Sequence, residues 1–121
     1  MDISAKSVRP FIGAQNYQES RNFYRDLGFE EVALSHNLTL FRIGNFGFYL
    51  QDAYVKDWVD NTMVFMEVED VNQFWNNIQE LDLPLRYHTV RIIPVRTEPW
   101  GAVCYVHDPS GILWHFGSFT K

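Results

Sequence analysis

A helix start is written twice in this chain, with the same residues in attendance. Asn16 precedes Tyr17-Gln18-Glu19, the Asx-x-x-Glu form of a capping box. Ser20, Phe23, Tyr24 and Leu27 then recur at helical spacing, and Gly28 ends the run. Asp70 stands three residues before Gln73, and Val71, Phe74, Trp75, Ile78 and Leu81 share one apolar face. Moved back 54 positions, Asp70 falls on Asn16, Gln73 on Glu19, Ile78 on Tyr24, Leu81 on Leu27 and Phe65 on Phe11. Cap, box and apolar face in one register mark an internal repeat.

Strand signals surround each helix. Residues 8–15 read as a strand, with Pro10 tolerable near its start. Three more follow at about 30–35, 38–43 and 46–51, the last two joined by a tight Gly44-Asn45 turn. Residues 52–61 look like a linker, and Met63 to Val68 opens the second unit. After its helix, residues 85–97, 102–107 and 112–119 supply three strands. Asp108-Pro109-Ser110-Gly111 fits a type I turn between the last two. The expectation is one α+β domain over 1–121, made of two β-α-β-β-β modules at about 8–51 and 62–119. They form a curved mixed sheet with the helices outside. Each sheet buries one face under its helix, and the helix-free faces curl around a shared cavity.

The chain's length suits a single core of that kind. Its aromatic content of 17% exceeds what such a core requires, so some rings are expected in a pocket or an interface. A formal net charge of −5 argues against a nucleic-acid surface and favours a cationic or neutral ligand. The single cysteine, Cys104, excludes an internal disulfide and a thiolate zinc cage. No apolar run reaches membrane-spanning length, and Met1 to Lys6 lacks the apolar core of a signal peptide. The expected compartment is the cytoplasm.

Strand parity selects the pocket wall. A two-residue turn at Gly44-Asn45 pairs Leu40 with Tyr49, and a four-residue turn at 108–111 pairs Cys104 with His115. Trp100, an even number of residues before Cys104, falls on the same side. The candidate lining is Leu38, Leu40, Tyr49, Gln51, Met63, Phe65, Glu67, Trp100, Cys104 and His115, with Arg9 at the entrance strand. Arg9 would neutralise a ligand carboxylate or phosphate; its alternative is a solvated arginine. Glu67 shares parity with Met63 and Phe65, where it would meet Arg9 or a cationic guest. His115 is a polar pocket residue, a proton acceptor, or a strand histidine satisfied by a neighbour. No Ser, Asp or Cys stands at a spacing that completes a nucleophilic relay with it. Cys104 reads as an inert small hydrophobe, and Trp58 and Trp114 as packing residues.

Ser20 to Phe29, Asp60-Asn61-Thr62-Met63, Glu98-Pro99-Trp100-Gly101 and Asp108-Pro109-Ser110-Gly111 through His115-Phe116 together resemble the vicinal oxygen chelate superfamily. That superfamily includes glyoxalase I, extradiol dioxygenases and bleomycin-resistance proteins, and the likeness is closest to the last. In enzymatic members four side chains, two from each module, hold a divalent metal. Carried over, those places fall on Arg9, Tyr49, Met63 and His115. Only His115 is a common ligand: arginine offers no lone pair, and methionine sulfur is too soft. Neither a metal nor any other cofactor is expected. The resemblance to bleomycin-resistance proteins implies a homodimer, with the N-terminal strand exchanged, that sequesters a cationic drug in interface grooves. It places Trp100 against the flat rings of the guest. The positions where drug-binding members carry further aromatics hold Ala33 and Leu38 here.

The expected function is metal-free binding of an aromatic or cationic small molecule in a dimer-interface pocket, of the antibiotic-resistance type. Two alternatives stand beside it. One is a divergent enzyme of the superfamily with His115 or Glu67 as acid or base, and the other an interaction protein with a vestigial pocket.

Overall fold

The structure, a computed structural model, describes residues 1–121. Four strands and a helix make the first module: β1 (Phe11–Gly13), α1 (Tyr17–Leu27), β2 (Glu30–Ser35), β3 (Leu38–Ile43) and β4 (Phe46–Gln51). The second consists of β5 (Met63–Glu67), α3 (Val71–Glu80), β6 (Arg91–Glu98), β7 (Gly101–His107) and β8 (Leu113–Phe119). Each module is a four-stranded mixed sheet, with orders β1-β4-β3-β2 and β5-β8-β7-β6. The opening strand runs parallel to the closing one, and the other pairs are antiparallel. The repeat in the sequence is therefore a repeat in topology.

Both helix starts are capped as their sequences require. The Asn16 side chain accepts from the Glu19 amide at 3.0 Å, and Asp70 from the Asn72 and Gln73 amides at 3.0 and 3.1 Å. Gly28 ends α1 at φ 114°, a left-handed cap that suits glycine. Elsewhere the boundaries differ from expectation. The first strand is only Phe11–Gly13, because Pro10 offers no amide to the ladder. Inside the stretch read as a linker lies α2 (Lys56–Asp60), which buries Val59. Residues 85–90 do not join β6; the Leu83-Pro84 pair instead opens a short helix, α4 (Leu83–Arg86), where proline is tolerated in the first turn.

One core joins the two modules. Trp114 of β8 lies 5.4 Å from the ring of Phe48, its counterpart in β4, and 5.8 and 5.7 Å from those of Tyr24 and Phe29. Phe74 of α3 stacks on Phe116 at 4.2 Å, and α3 packs over β6, β7 and β8. Ile12, Phe41, Phe48 and Leu50 from the first sheet and Cys104, Val106, Trp114 and Phe116 from the second all belong to this core. A buried polar chain crosses it. Trp114 Nε1 donates to the Tyr24 hydroxyl at 2.9 Å, and that hydroxyl donates to Asp108 Oδ2 at 2.6 Å. Asp108 Oδ1 accepts the Ser110, Gly111 and Ile112 amides, each at 2.9 Å. The Asp-Pro-Ser-Gly turn thus ties the last hairpin to the first helix.

Because the covered faces meet in this core, the helix-free faces point away from one another. Within one chain they do not curl around a shared cavity, contrary to the expectation from the module pattern.

Candidate functional site

The first helix-free face is built on the β1–β4–β3 register, which aligns Phe11 with Tyr49 and Tyr49 with Leu40. Gln51 pairs with Leu38 on the same side. The Phe11 and Tyr49 rings are 4.8 Å apart. Arg9, two residues before Phe11, donates from Nη1 to the Tyr49 hydroxyl at 3.3 Å. Its Nε is buried without a hydrogen-bond partner. Leu40 is buried, and Leu38, Tyr49 and Gln51 are half-buried.

The second helix-free face follows from β5–β8–β7. Met63, Phe65 and Glu67 align with Leu113, His115 and Gly117, and His115 with Tyr105. Phe65, Trp100 and Phe119 form a ring cluster, with centroids 5.8 Å apart for Phe65–Trp100, 5.8 Å for Phe65–Phe119 and 5.0 Å for Trp100–Phe119. All three stay open to solvent, at 44%, 37% and 50% exposure. Trp100 sits in the two-residue Pro99-Trp100 turn implied by the Glu98–Gly101 pairing, where its carbonyl accepts the Thr120 amide at 2.9 Å. Gly101 makes this close passage possible, since a Cβ there would lie 2.1 Å from the Ser118 carbonyl oxygen. Gly117 likewise makes room for Phe65, whose Cζ would be 2.9 Å from an added Cβ.

His115 stands edge-on to Tyr105, with centroids 4.8 Å apart. Burial lowers its pKa, so it is neutral at pH 7, and Nε2 is buried without a partner. Glu67 is exposed and forms no ion pair with Arg9, which lies on the other sheet. A groove of about 450 Å³ borders this face through Glu67 and Phe119 and continues to Phe46 and Lys121.

Ten of the expected lining residues therefore lie on or beside helix-free faces, in two groups: Arg9, Leu38, Leu40, Tyr49 and Gln51 on one, and Met63, Phe65, Glu67, Trp100 and His115 on the other. A single chain does not bring the groups together. Cys104 is a correction. It pairs with Phe116 rather than His115 and is fully buried in the core. The loop between β7 and β8 is one residue longer than a four-residue turn, because Asp108 N also bonds Ile112 O at 2.9 Å and His107 pairs with Leu113. That shift puts Tyr105 on the open face in place of Cys104. Burial pushes the Cys104 thiol up to about 11, which leaves it protonated and unreactive.

Phe11, Tyr105 and Phe119 are additions to the lining. Phe11 was signalled by its repeat match to Phe65, and Phe119 by its parity with His115. Tyr105 is the counterpart of Leu40, since each pairs with the closing-strand residue of its module, Tyr49 or His115.

The four places that carry metal ligands in enzymatic relatives do not fit a metal here. Arg9 donates to Tyr49 and has no lone pair to offer, and Met63 brings only a soft thioether sulfur. No three His, Cys, Asp or Glu side chains converge anywhere in the molecule. No helix is long and apolar enough to cross a membrane.

Comparison with solved structures finds the same fold in binding proteins and in an enzyme. The bleomycin-binding protein of bleomycin-producing Streptomyces verticillus, in complex with copper(II)-bleomycin, superposes with a TM-score of 0.82 at 21% identity, over 98% of this chain and 100% of that one. A bleomycin resistance determinant encoded on transposon Tn5 gives 0.78 at 15% identity, over 97% and 100%. Lactoylglutathione lyase from Agrobacterium tumefaciens gives 0.72 at 18% identity, over 96% of each chain. No curated protein matches the sequence. The glyoxalase/bleomycin resistance protein/dioxygenase superfamily model matches residues 7–116. With that match spanning nearly its whole length and the duplicated topology to go with it, the chain belongs to the glyoxalase/bleomycin resistance protein/dioxygenase superfamily.

Proposed function

We propose that this protein binds a small, flat aromatic molecule without a metal, between the first helix-free face of one protomer and the second helix-free face of its partner in a homodimer. The observation that carries this is the Phe65–Trp100–Phe119 cluster, three touching rings left open to solvent at the edge of a sheet. Exposed aromatic surface of this kind marks a binding face, and rings held at fixed angles offer a flat guest an edge or a plane at little entropic cost. The solved relatives that bind bleomycin share the fold and support a binding role. The donor set at Arg9, Tyr49, Met63 and His115 supports binding without a metal.

A dye-displacement screen of bleomycin-class and other flat aromatic compounds tests the proposal, followed by titration of a bound compound against wild type and Trp100→Ala. Loss of the indole should weaken binding by roughly 1–3 kcal/mol, about fivefold to 150-fold, while thermal melts show the fold intact. Unchanged affinity in the folded variant would move the site elsewhere.

One observation favours a second reading, a metal-free enzyme. His115 is a neutral imidazole with a buried, unpartnered Nε2 on the same face as the rings, the state a general base needs. Turnover of a bound compound that disappears in His115→Gln, with binding retained, would establish it.

A further inference from the structure

Five of the seven arginines of this acidic chain are neutralised at short range. Arg21 and Arg25 meet Glu31, Arg42 meets Glu30, Arg86 meets Asp26 and Arg96 meets Glu98. Arg9 and Arg91 meet no carboxylate, and of these Arg91 is exposed while Arg9 is half-buried. The Arg9 guanidinium lies against Tyr49, with Nη1 donating to the hydroxyl at 3.3 Å and Cζ 6.0 Å from the ring centroid. Reachable donors there remain unused. Arg9 Nη2 makes no hydrogen bond and, unlike Nε, is not buried. The Tyr49 oxygen is occupied as an acceptor, which leaves its own hydrogen free to donate. On either side of Tyr49 in the sheet stand Phe11 and Leu40, neither of which can accept a hydrogen bond. A half-buried cation without a counter-ion is costly unless a negatively charged acceptor sits beside it.

We infer that the ligand of the first helix-free face is an anionic ring compound, an aromatic carboxylate or sulfonate, whose charged oxygens are received by Arg9 Nη2 and the Tyr49 hydroxyl. This deepens the binding role proposed above and rests on it. The guanidinium is planar and permanently charged, and its hydrogen bonds to carboxylate or sulfonate oxygens are about twice as strong as neutral ones. The Phe11–Tyr49 ring pair, tilted by 30°, supplies apolar surface for the attached ring. The chain's net charge of −5 favours a cation at long range, but exposed charges beyond about 10 Å are screened at ordinary salt. The contact at Arg9 decides the charge of the group seated there.

Two dyes that differ only in the acidic group test this. 8-Anilinonaphthalene-1-sulfonate carries a sulfonate, and N-phenyl-1-naphthylamine has the same rings without it. Both are titrated by fluorescence into the full-length wild type and into Arg9→Met, Tyr49→Phe and Lys56→Met, with thermal melts alongside. Wild type should bind the sulfonate at least tenfold more tightly. Arg9→Met should remove that preference and leave the neutral dye within twofold, Tyr49→Phe should weaken the sulfonate severalfold, and Lys56→Met should change neither. If Arg9→Met does not fold, Tyr49→Phe, which removes one oxygen, decides in its place. Equal binding of the two dyes to wild type overturns the inference while leaving the binding face in place. So does equal weakening of both dyes by Arg9→Met, or loss of the preference in Lys56→Met. Binding of neither dye removes the face as a ligand site, and this inference with it.

Discussion

Replacing Asp108 should show that the Asp-Pro-Ser-Gly turn holds the two modules together. Its carboxylate is fully buried and accepts four hydrogen bonds, three from amides of its own turn and one from Tyr24. Counted singly, hydrogen bonds to a charged group at about 1.5–3 kcal/mol each would give an impossibly large loss for one side chain. The Ser110 and Gly111 amides are only part-buried and regain water, so Asp108→Ala orphans chiefly the Ile112 amide and the Tyr24 hydroxyl. Two buried orphans at about 1–3 kcal/mol each, plus the void, put the cost at about 3–5 kcal/mol. That is roughly 10–20 °C in Tm for a chain of this size. Asp108→Asn keeps an oxygen for the three amides and should cost about 1 kcal/mol. The two variants also differ from wild type in pH dependence. Burial raises the Asp108 carboxyl from 3.8 to about 6 despite the hydrogen bonds that pull it down. Between those values the folded state keeps a proton that the unfolded state has lost, so stability falls as pH rises through the window, by about 3 kcal/mol. Asp108→Asn should lack that slope. Urea unfolding of the three proteins at pH 4, 5, 6 and 7 measures both effects. An alanine variant within 1 kcal/mol of wild type, or an asparagine variant that keeps the slope, would refute the reasoning.

Other consequences are as direct. Gly101→Ala forces a Cβ to within 2.1 Å of the Ser118 carbonyl oxygen and 2.9 Å of Phe119 Cα. Backbone cannot retreat cheaply, so a loss of about 3 kcal/mol or more is expected, and a melt unchanged within 2 °C would contradict it. Cys104, buried with its thiol pushed up to about 11, should resist iodoacetamide at pH 8 in the folded protein and react promptly in urea. Rapid stoichiometric labelling of native protein would place it on the surface. Sedimentation at micromolar concentration should give a dimer that Phe65→Lys converts to monomer, because the lysine puts a charge into the open ring cluster. A wild-type species of one-chain mass would end the two-chain site.

Local chemistry was legible where side chains act on their own neighbours. Asn16 and Asp70 cap the helices that their spacing announces, and β2, β3 and β4 run over the residues that alternation selects. The Gly44-Asn45 turn gave the true Leu40–Tyr49 pairing because a two-residue hairpin leaves only one register. The same logic failed by one residue at the last hairpin. There the Asp108 side chain, not the backbone alone, closes the loop, and its three amide bonds carry the turn on to Ile112. A shift of one residue exchanges the two faces of a strand, which is why Cys104 moved inward and Tyr105 outward.

The site posed a different problem, since parity tells which residues share a face but not what that face looks toward. Trp114 against Phe48 settles it within the chain: the covered sides of the two sheets meet, so the open sides diverge. Sequence could not supply this, because both sheets carry large apolar residues on both faces, and only packing decides which pair closes. Phe41, Phe48 and Trp114 pack around Tyr24 of the Tyr24–Asp108 chain, whose polar ends need each other. Phe11, Phe65, Trp100 and Phe119 surround no such network and stay wet. The buried hydrogen bonds therefore choose the core, and what they leave outside, a ring cluster on one sheet and an unneutralised arginine on the other, is the material from which a ligand site between two chains can be made.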